Sequence, residues 1–413
     1  MEQKIILVIG TYDTKNDELT YICSKIEKLG GKVHTMDVSV LGNPQKPSDI
    51  SKHQVAEAAS SSIQAAIDAE DENLAMQIMA KGAGILASQL SETGKIDGMI
   101  ALGGTMGTDL ALEVACALPL GVPKVIVSTI AFSPLIPPER LAPDVQMILW
   151  AGGLYGLNSI CKSSLSLAAG AVYGAALASE KPNWQKPMIG VTSLGKICLN
   201  YMVTLKPALE ERGFEVAIFH STGMGGRVFE DLASRGQFVC VMDFCMQEFT
   251  NGLHGSVVNS GPGRLFGAGK HGIPQIIAPG ASDIIDFPAF RDVPENLAGR
   301  PAHAHNRLIA SAAINPDERR ITARAMADCL KSAKGPVQFV LPNGGIEEWD
   351  RPGGPAHDSE GLAAFCDEIR TAMPSNVTLS EIAGHINDPE FCDLVLEIFD
   401  GWISDGTIST EQA

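Results

Sequence analysis

Cysteine pairing signals, basic charge and long hydrophobic runs are all scarce in this chain, and each scarcity removes a class of function. The nine cysteines are scattered and include no C-x-x-C pair. An odd number without close spacing speaks against a disulfide framework or a zinc ribbon and for thiols buried in a core. Lysine and arginine number 31 against 48 aspartates and glutamates, a formal net charge of −17. A nucleic-acid backbone or an anionic membrane surface is therefore not the expected partner. A nucleotide stays compatible with that charge, because a few backbone N–H groups can hold phosphate inside an acidic protein. The first apolar run, Ile5–Ile9, is too short for the core of a signal peptide. The most membrane-like stretch, Leu165–Ala178, is short, rich in Ala and Gly, and soon meets Glu180. It reads as a tightly packed helix rather than a span, so the cytoplasm is the expected compartment and no membrane partner is expected.

What is present is a pattern. Short apolar runs alternate with helical periodicity through all 413 residues, the signature of parallel sheets covered by helices. Strands are expected at Lys4–Ile9, Val33–Val40, Gly98–Leu102, Lys124–Ile130 and Gln146–Trp150. The helices between them fall at about 16–29, 53–69, 72–92 and from Asp109 onward. The stretch Ser179–Pro187 is polar and holds two prolines, which marks a domain boundary. The pattern then restarts, with strands at Met188–Val191, Phe214–Phe219, Phe238–Asp243, Pro274–Ala278 and Val337–Leu341. Helices are expected at 196–211, 228–234, 316–333, 360–373 and 388–402, with a Pro-rich loop running to about 301. The fold class is α/β, with two Rossmann-like subdomains, each a mostly parallel sheet flanked by helices, over residues 1–182 and 183–413. The halves rhyme, since each has a strand feeding a Thr/Gly/Met loop that opens a helix.

Two loops in the first half carry candidate chemistry. Gly103, Gly104, Thr105, Met106, Gly107 and Thr108 lie between a strand end and a helix start, where open α/β sheets bind ligands. Glycines let the backbone approach phosphate closely and the threonine hydroxyls can donate to it; the same glycines would also serve a bare tight turn. The companion loop Gly10, Thr11, Tyr12, Asp13, Thr14 and Lys15 follows the first strand. Lys15 could pair with phosphate, and Asp13 could hold Mg²⁺ directly or through water, although Asp13-Thr14 also suits a helix N-cap. In the second half, Ser221, Thr222, Gly223, Gly225 and Gly226 could bind another anion, such as the carboxylate of a small metabolite. Asp243, Glu248, His254, His303 and His305 are the possible parts of a metal site, and hydrogen-bonded or surface histidines are the plainer alternative.

Two near-motifs do not carry their usual meaning. Gly190–Lys196 has phosphate-loop spacing, but Ile197 occupies the metal-binding hydroxyl position and Gly190 falls inside a strand. Gly267–Gly272 matches G-x-G-x-x-G, yet a strand follows it rather than precedes it.

The phrases Gly10–Lys15, Gly103–Thr108 and His220–Gly226, in this order, resemble the ATP-binding family that includes the N-terminal half of the tomato mosaic virus resistance protein. The similarity spans the chain from the first strand to about residue 400. It implies two Rossmann-like subdomains, homodimers, and ATP bound by the first subdomain through the first two loops; the reading of Asp13 adds Mg²⁺ as the expected companion of the nucleotide. The expectation is an ATP-binding protein of small-molecule metabolism, either an ATP-dependent enzyme or a nucleotide sensor. The alternative is a metal-assisted hydrolase or lyase acting on a small carboxylate in the second half.

Overall fold

The computed structural model describes residues 3–150, 156–180, 182 and 185–410. They form two compact units, Met1–Pro182 and Asn183–Ala413.

The first unit is a five-stranded parallel sheet. Its strands are β1 (Ile5–Gly10), β2 (Lys32–Asp37), β3 (Gly98–Gly103), β4 (Lys124–Ser128) and β5 (Val145–Leu149), in the order β2-β1-β3-β4-β5. Side chains alternate across a strand, so β1 sends Leu7 and Ile9 to one core and Ile6 and Val8 to the other. The first core packs against helices Glu72–Glu92 and Thr105–Ala117, where Ala75, Met79, Ala83 and Ala87 make an i, i+4 stripe. The second packs against helices Asn16–Lys28 and Ser159–Ala178. The latter is long and apolar enough to cross a membrane by length and composition; here its Leu165, Ala168, Ala169 and Val172 are buried against Ile100, Val125 and Val127 of the sheet.

Among the helices expected in the first unit, two differ from what is observed. The single helix expected over 53–69 is two, Lys52–Ala58 and Ile63–Asp68, because Ser60 turns at φ 60° and Ser62 caps the second helix through Ala65 N. The helix expected from Asp109 begins four residues earlier, at Thr105, so the Gly103–Thr108 loop is mostly the first helical turn.

The second unit repeats the same order with one more strand. β6 (Met188–Ser193), β7 (Glu215–His220), β8 (Cys240–Cys245) and β9 (Gln275–Gly280) belong to its parallel sheet. Next come β10 (Ile284–Pro288), β11 (Ala302–Ala304) and β12 (Ile309–Ala313), a small antiparallel sheet of order β10-β12-β11. β13 (Val337–Pro342) and β14 (Val377–Ile382) then return to the main sheet, which reads β14-β13-β9-β8-β6-β7. The Pro-rich loop expected up to residue 301 thus begins and ends in strands, and edge strand β14 had no expectation attached to it. Gly267–Gly272 is a short helix, Gly267–His271, leading into β9, with Gly272 left-handed at φ 83°. Gly190 lies inside β6 against Phe238, as its strand reading required. All nine cysteines stay as thiols, five of them buried in the second unit or its edge helices.

Each unit contains a buried charge arrangement near its strand ends. In the first, Lys124 is wholly buried; its Nζ donates to the carbonyls of Pro119 (2.8 Å) and Val122 (3.0 Å) and pairs with Asp144 (2.6 Å) just before β5. In the second, the buried guanidinium of Arg264 meets three buried carboxylates. It binds Asp243 through two nitrogens, one at 2.6 Å, and reaches Glu230 at 3.2 Å and Glu248 at 3.4 Å. One cation cannot neutralise three anions in a dry site. Burial accordingly raises the Glu230 carboxyl and pushes Glu248 up to about 7, with Arg264 opposing the shift.

Both arrangements are testable. Asp144→Ala removes the carboxylate paired with the buried Lys124 ammonium and should cost about 2–4 kcal/mol by urea unfolding. Adding it to Lys124→Met should cost much less, and equal costs in the two backgrounds would refute the coupling. A carboxyl raised in the folded chain holds its proton more tightly there than in the unfolded chain. That stabilisation is complete below the unfolded value near 4.5 and is lost as pH rises through about 7. Arg264→Met should therefore lose on the order of 3–5 kcal/mol at about pH 8 and clearly less at about pH 5.5. A loss independent of pH would contradict the three-carboxylate account.

Candidate functional site

In the first unit the chain leaves β1 and β3, which are neighbours, toward opposite faces of the sheet. Helix Asn16–Lys28 joins one core and helix Thr105–Ala117 the other. A crevice opens between the two departing loops, at the switch point of the strand order. It encloses about 590 Å³, with Gly10, Thr11 and Lys15 on one side and Gly103, Gly104 and Gly107 on the other. A neighbouring hollow of about 900 Å³ shares Thr11, Met76 and Met106 with it and continues past Asp13 and Thr14 to Leu41 and Ile67.

Local chemistry explains why these loops stand still. Gly103 packs so closely on the next helix that a Cβ would lie 2.5 Å from Gly107 Cα, which no side chain tolerates. Thr108 lies beneath the loop, fully buried, its hydroxyl 2.7 Å from Ser128 Oγ and 3.4 Å from the Gly103 carbonyl. It braces the turn rather than lining its open face. The helix that begins at Thr105 has Gly104 at its N-cap and no side-chain cap, and Thr105 and Met106 are exposed at that end. Such an end presents backbone N–H groups and the positive pole of the helix.

On the other side, Thr11 and Thr14 share a hydrogen bond between their hydroxyls at 2.9 Å. Lys15 Nζ lies 3.4 Å from the Thr14 carbonyl. The Asp13 carboxylate accepts from Ser39 Oγ (3.0 Å) and Gly42 N (3.1 Å), pinning the segment after β2 against the loop. Asp37 does the same from below, accepting from Tyr12 N at 3.2 Å and Ser39 Oγ at 2.5 Å. Sequence reasoning missed the apolar walls Leu41, Ile67 and Met76, which come from helices and a loop with no motif of their own.

The second unit arranges its residues differently. Ser221–Gly226 follows β7, the second strand of its unit, whereas Gly103–Thr108 follows the third. The two loops rhyme in sequence and not in topology. Nor are the second loop's amides open. Gly223 N (2.5 Å) and Gly226 N (3.1 Å) both donate to Glu248 Oε1, so a carboxylate of the chain itself sits at that helix start. A Cβ on Gly226 would lie 1.6 Å from the other oxygen, Oε2. Ser221 is buried, and Thr222 and His220 are exposed toward a separate crevice.

The proposed metal ligands do not converge. Asp243 and Glu248 surround Arg264, His254 bonds to Thr322 Oγ1 at 2.9 Å, and His303 packs edge-on to Trp349 with ring centres 4.6 Å apart. Among the described residues no group of three or more His, Cys, Asp or Glu stands where it could hold a metal ion.

Comparison with known proteins falls on the same two units. Residues 4–181 match the N-terminal domain, and residues 186–403 the C-terminal domain, of a family described as "Uncharacterised protein family (UPF0261)". The chain is 57% identical over 403 residues to a UPF0261 protein of Brucella melitensis, covering 98% of this chain and 96% of that one. It is 34% identical to a UPF0261 protein of Clostridium tetani, over 94% of this chain and 96% of the other. It is also 28% identical to the ToMV resistance protein Tm-1(GCR237) of Solanum lycopersicum, covering 95% of this chain and 55% of that longer protein. With both domain models matched in order and close full-length relatives, the chain belongs to the uncharacterised protein family UPF0261.

Proposed function

We propose that the first unit binds ATP with Mg²⁺ in the crevice between Gly10–Lys15 and Gly103–Thr108, and that the chain is an ATP-dependent enzyme or nucleotide sensor of small-molecule metabolism. The observation that carries this reading is the meeting of a helix start lacking a side-chain cap with a switch-point crevice. The resemblance to the ATP-binding family, which implies a nucleotide at the same two loops, supports this reading.

The residues suit the parts of a nucleotide. Phosphate oxygens would take the N–H groups at Thr105, Met106 and Gly107, with the hydroxyls of Thr11, Thr14 and Thr105 as further donors. Lys15 would add roughly 4 kcal/mol of Coulomb attraction for unit charges at contact and an effective dielectric near 20. The adjoining hollow, walled by Leu41, Ile67, Met76 and Met106, is apolar enough for a purine ring. Glu70, Asp71 and Glu72 on its edge would repel bare triphosphate and tolerate the magnesium complex. The Asp13 carboxylate already accepts two hydrogen bonds, so it fits a magnesium ion through a bound water rather than as a direct ligand. Thr108 serves the site as the brace of Gly103.

Calorimetric titration with Mg·ATP tests the reading. Saturable binding at about micromolar levels is expected, weakened about tenfold by Lys15→Ala or by Met106→Glu, with the thermal midpoint of the protein unchanged. Thr108→Ala should lower the midpoint too, because it removes a buried hydrogen bond. No heat with ATP, ADP, GTP or AMP would overturn the proposal. Release of phosphate during incubation separates an enzyme from a sensor.

A further inference from the structure

The second unit has its own switch-point crevice, and it is not the glycine loop. β6 and β8 are neighbours, and their chains depart to opposite sides. Helix Asn200–Glu211 packs into the core that holds Ile189 and Val191, while Phe249 packs into the one that holds Ile277 and Phe339. Between these departures lies a crevice of about 400 Å³, open solvent included. The turn after β6 supplies Lys196, the helix after β8 supplies Gln247, and the antiparallel insertion supplies Asp286 and His305.

Its interior is built, not incidental. Asp286 is 2% exposed and accepts from Gln247 Nε2 (2.8 Å), Ser311 Oγ (2.6 Å) and Asn251 Nδ2 (3.2 Å). Its backbone N–H in turn donates to Asn251 Oδ1 at 2.8 Å. The carboxylate can only accept, so Gln247 must turn its NH₂ toward it, and this fixes the orientation of the amide. The amide oxygen left over, Gln247 Oε1, is buried and has no hydrogen-bond partner among the described residues. Leaving such an acceptor unmatched costs about 1–3 kcal/mol, which a ligand hydroxyl would offset.

The rim supplies the opposite character. Lys196, His220 and His305 bring three nitrogen-bearing side chains to the cavity, and Asp286 is the only acid among the described residues that line it. Burial first, and then the nearness of His305, lower the pKa of His220. Trp349 forms an apolar wall, with the His305 ring centre 6.3 Å from its own.

We propose that this cavity binds a small hydroxycarboxylate. Its carboxylate would meet Lys196 and the imidazoles, a hydroxyl would donate to Gln247 Oε1, and its short carbon chain would lie on Trp349. Asp286 acts through Gln247 and is a positioning residue. The assignment stands on the second unit alone and is independent of nucleotide binding by the first.

The test is a titration of the full-length, ¹⁵N-histidine-labelled protein with glycolate, D-glycerate and L-threonate, following the imidazole resonances. Glycerol and propionate, which lack the carboxylate or the hydroxyl, are the controls. At least one acid should shift His220 and His305 saturably and bind about tenfold tighter than either control. Lys196→Met, at an exposed position, should weaken that binding about tenfold while leaving the unfolding midpoint unchanged. Gln247→Leu should abolish the preference over propionate, and if that variant fails to fold, the Lys196→Met comparison and the controls still decide. No shift with any of the three acids at about 10 mM, propionate binding as well as the hydroxy acids, or binding indifferent to Lys196→Met would each overturn the proposal. Failure of ATP to bind would leave these outcomes untouched.

Discussion

Both units depend on one geometric constraint, the order 2-1-3 at the middle of a parallel sheet. A parallel strand must be followed by a crossover, and the crossover must cover one face or the other. When the first and third strands are neighbours and their crossovers take opposite faces, nothing fills the space between the departing chains. In the first unit those chains are Gly10–Lys15 and Gly103–Thr108. In the second they are the turn at Leu194–Ile197 and the start of the helix at Gln247. In the first unit an uncapped helix start borders the gap, a place where an anion can be met by the chain at little cost in reorganisation.

The two units satisfy one electrostatic demand in opposite ways. A helix start is a positive pole that gains from a nearby anion. In the second unit the helix Met224–Ser234 receives that anion from within, as Glu248, whose carboxylate links two amides of the loop to Arg264. In the first unit the helix that starts at Thr105 has glycine at its N-cap and no side-chain acceptor. A glycine-rich strand-to-helix loop is therefore an ambiguous signal. Its glycines mark close approach in both units, but what approaches is the helix backbone at Gly103 and an internal carboxylate at Gly226.

That ambiguity sets what could be read from sequence. Strand and helix alternation located the parallel sheets because buried parallel strands are nearly continuous apolar runs. The first-unit loops were legible because both ends of the crevice are sequence-local, each a strand followed at once by Gly and Thr. β14 was not legible, since Val377–Ile382 is an edge strand with partly exposed, polar alternate positions. The insertion β10–β12 was hidden by prolines and by the three residues of β11, all exposed. The Glu248–Gly223 contact joins residues 25 apart, and the Asp286–Asn251 contact residues 35 apart, across different elements. No local spacing encodes such pairs, so the carboxylates that looked like metal ligands were found holding an arginine instead.

If both proposals hold, the two units divide the labour in a way that the repeated topology alone would not suggest. With its glycine loop closed by Glu248, the second unit has no helix start to offer a phosphate at that loop. Its crevice instead presents side chains, an ordered amide fixed by Asp286 beneath and lysine and imidazole nitrogens above. Side-chain recognition suits a small, variably shaped ligand, because each group can be exchanged without disturbing the sheet. Backbone recognition, as proposed for the first unit, suits a ligand whose binding end is always the same, and phosphate is such an end. A fold used twice, with its loop amides presented in one unit and internally satisfied in the other, can thus carry an invariant ligand and a specific one on the same chain.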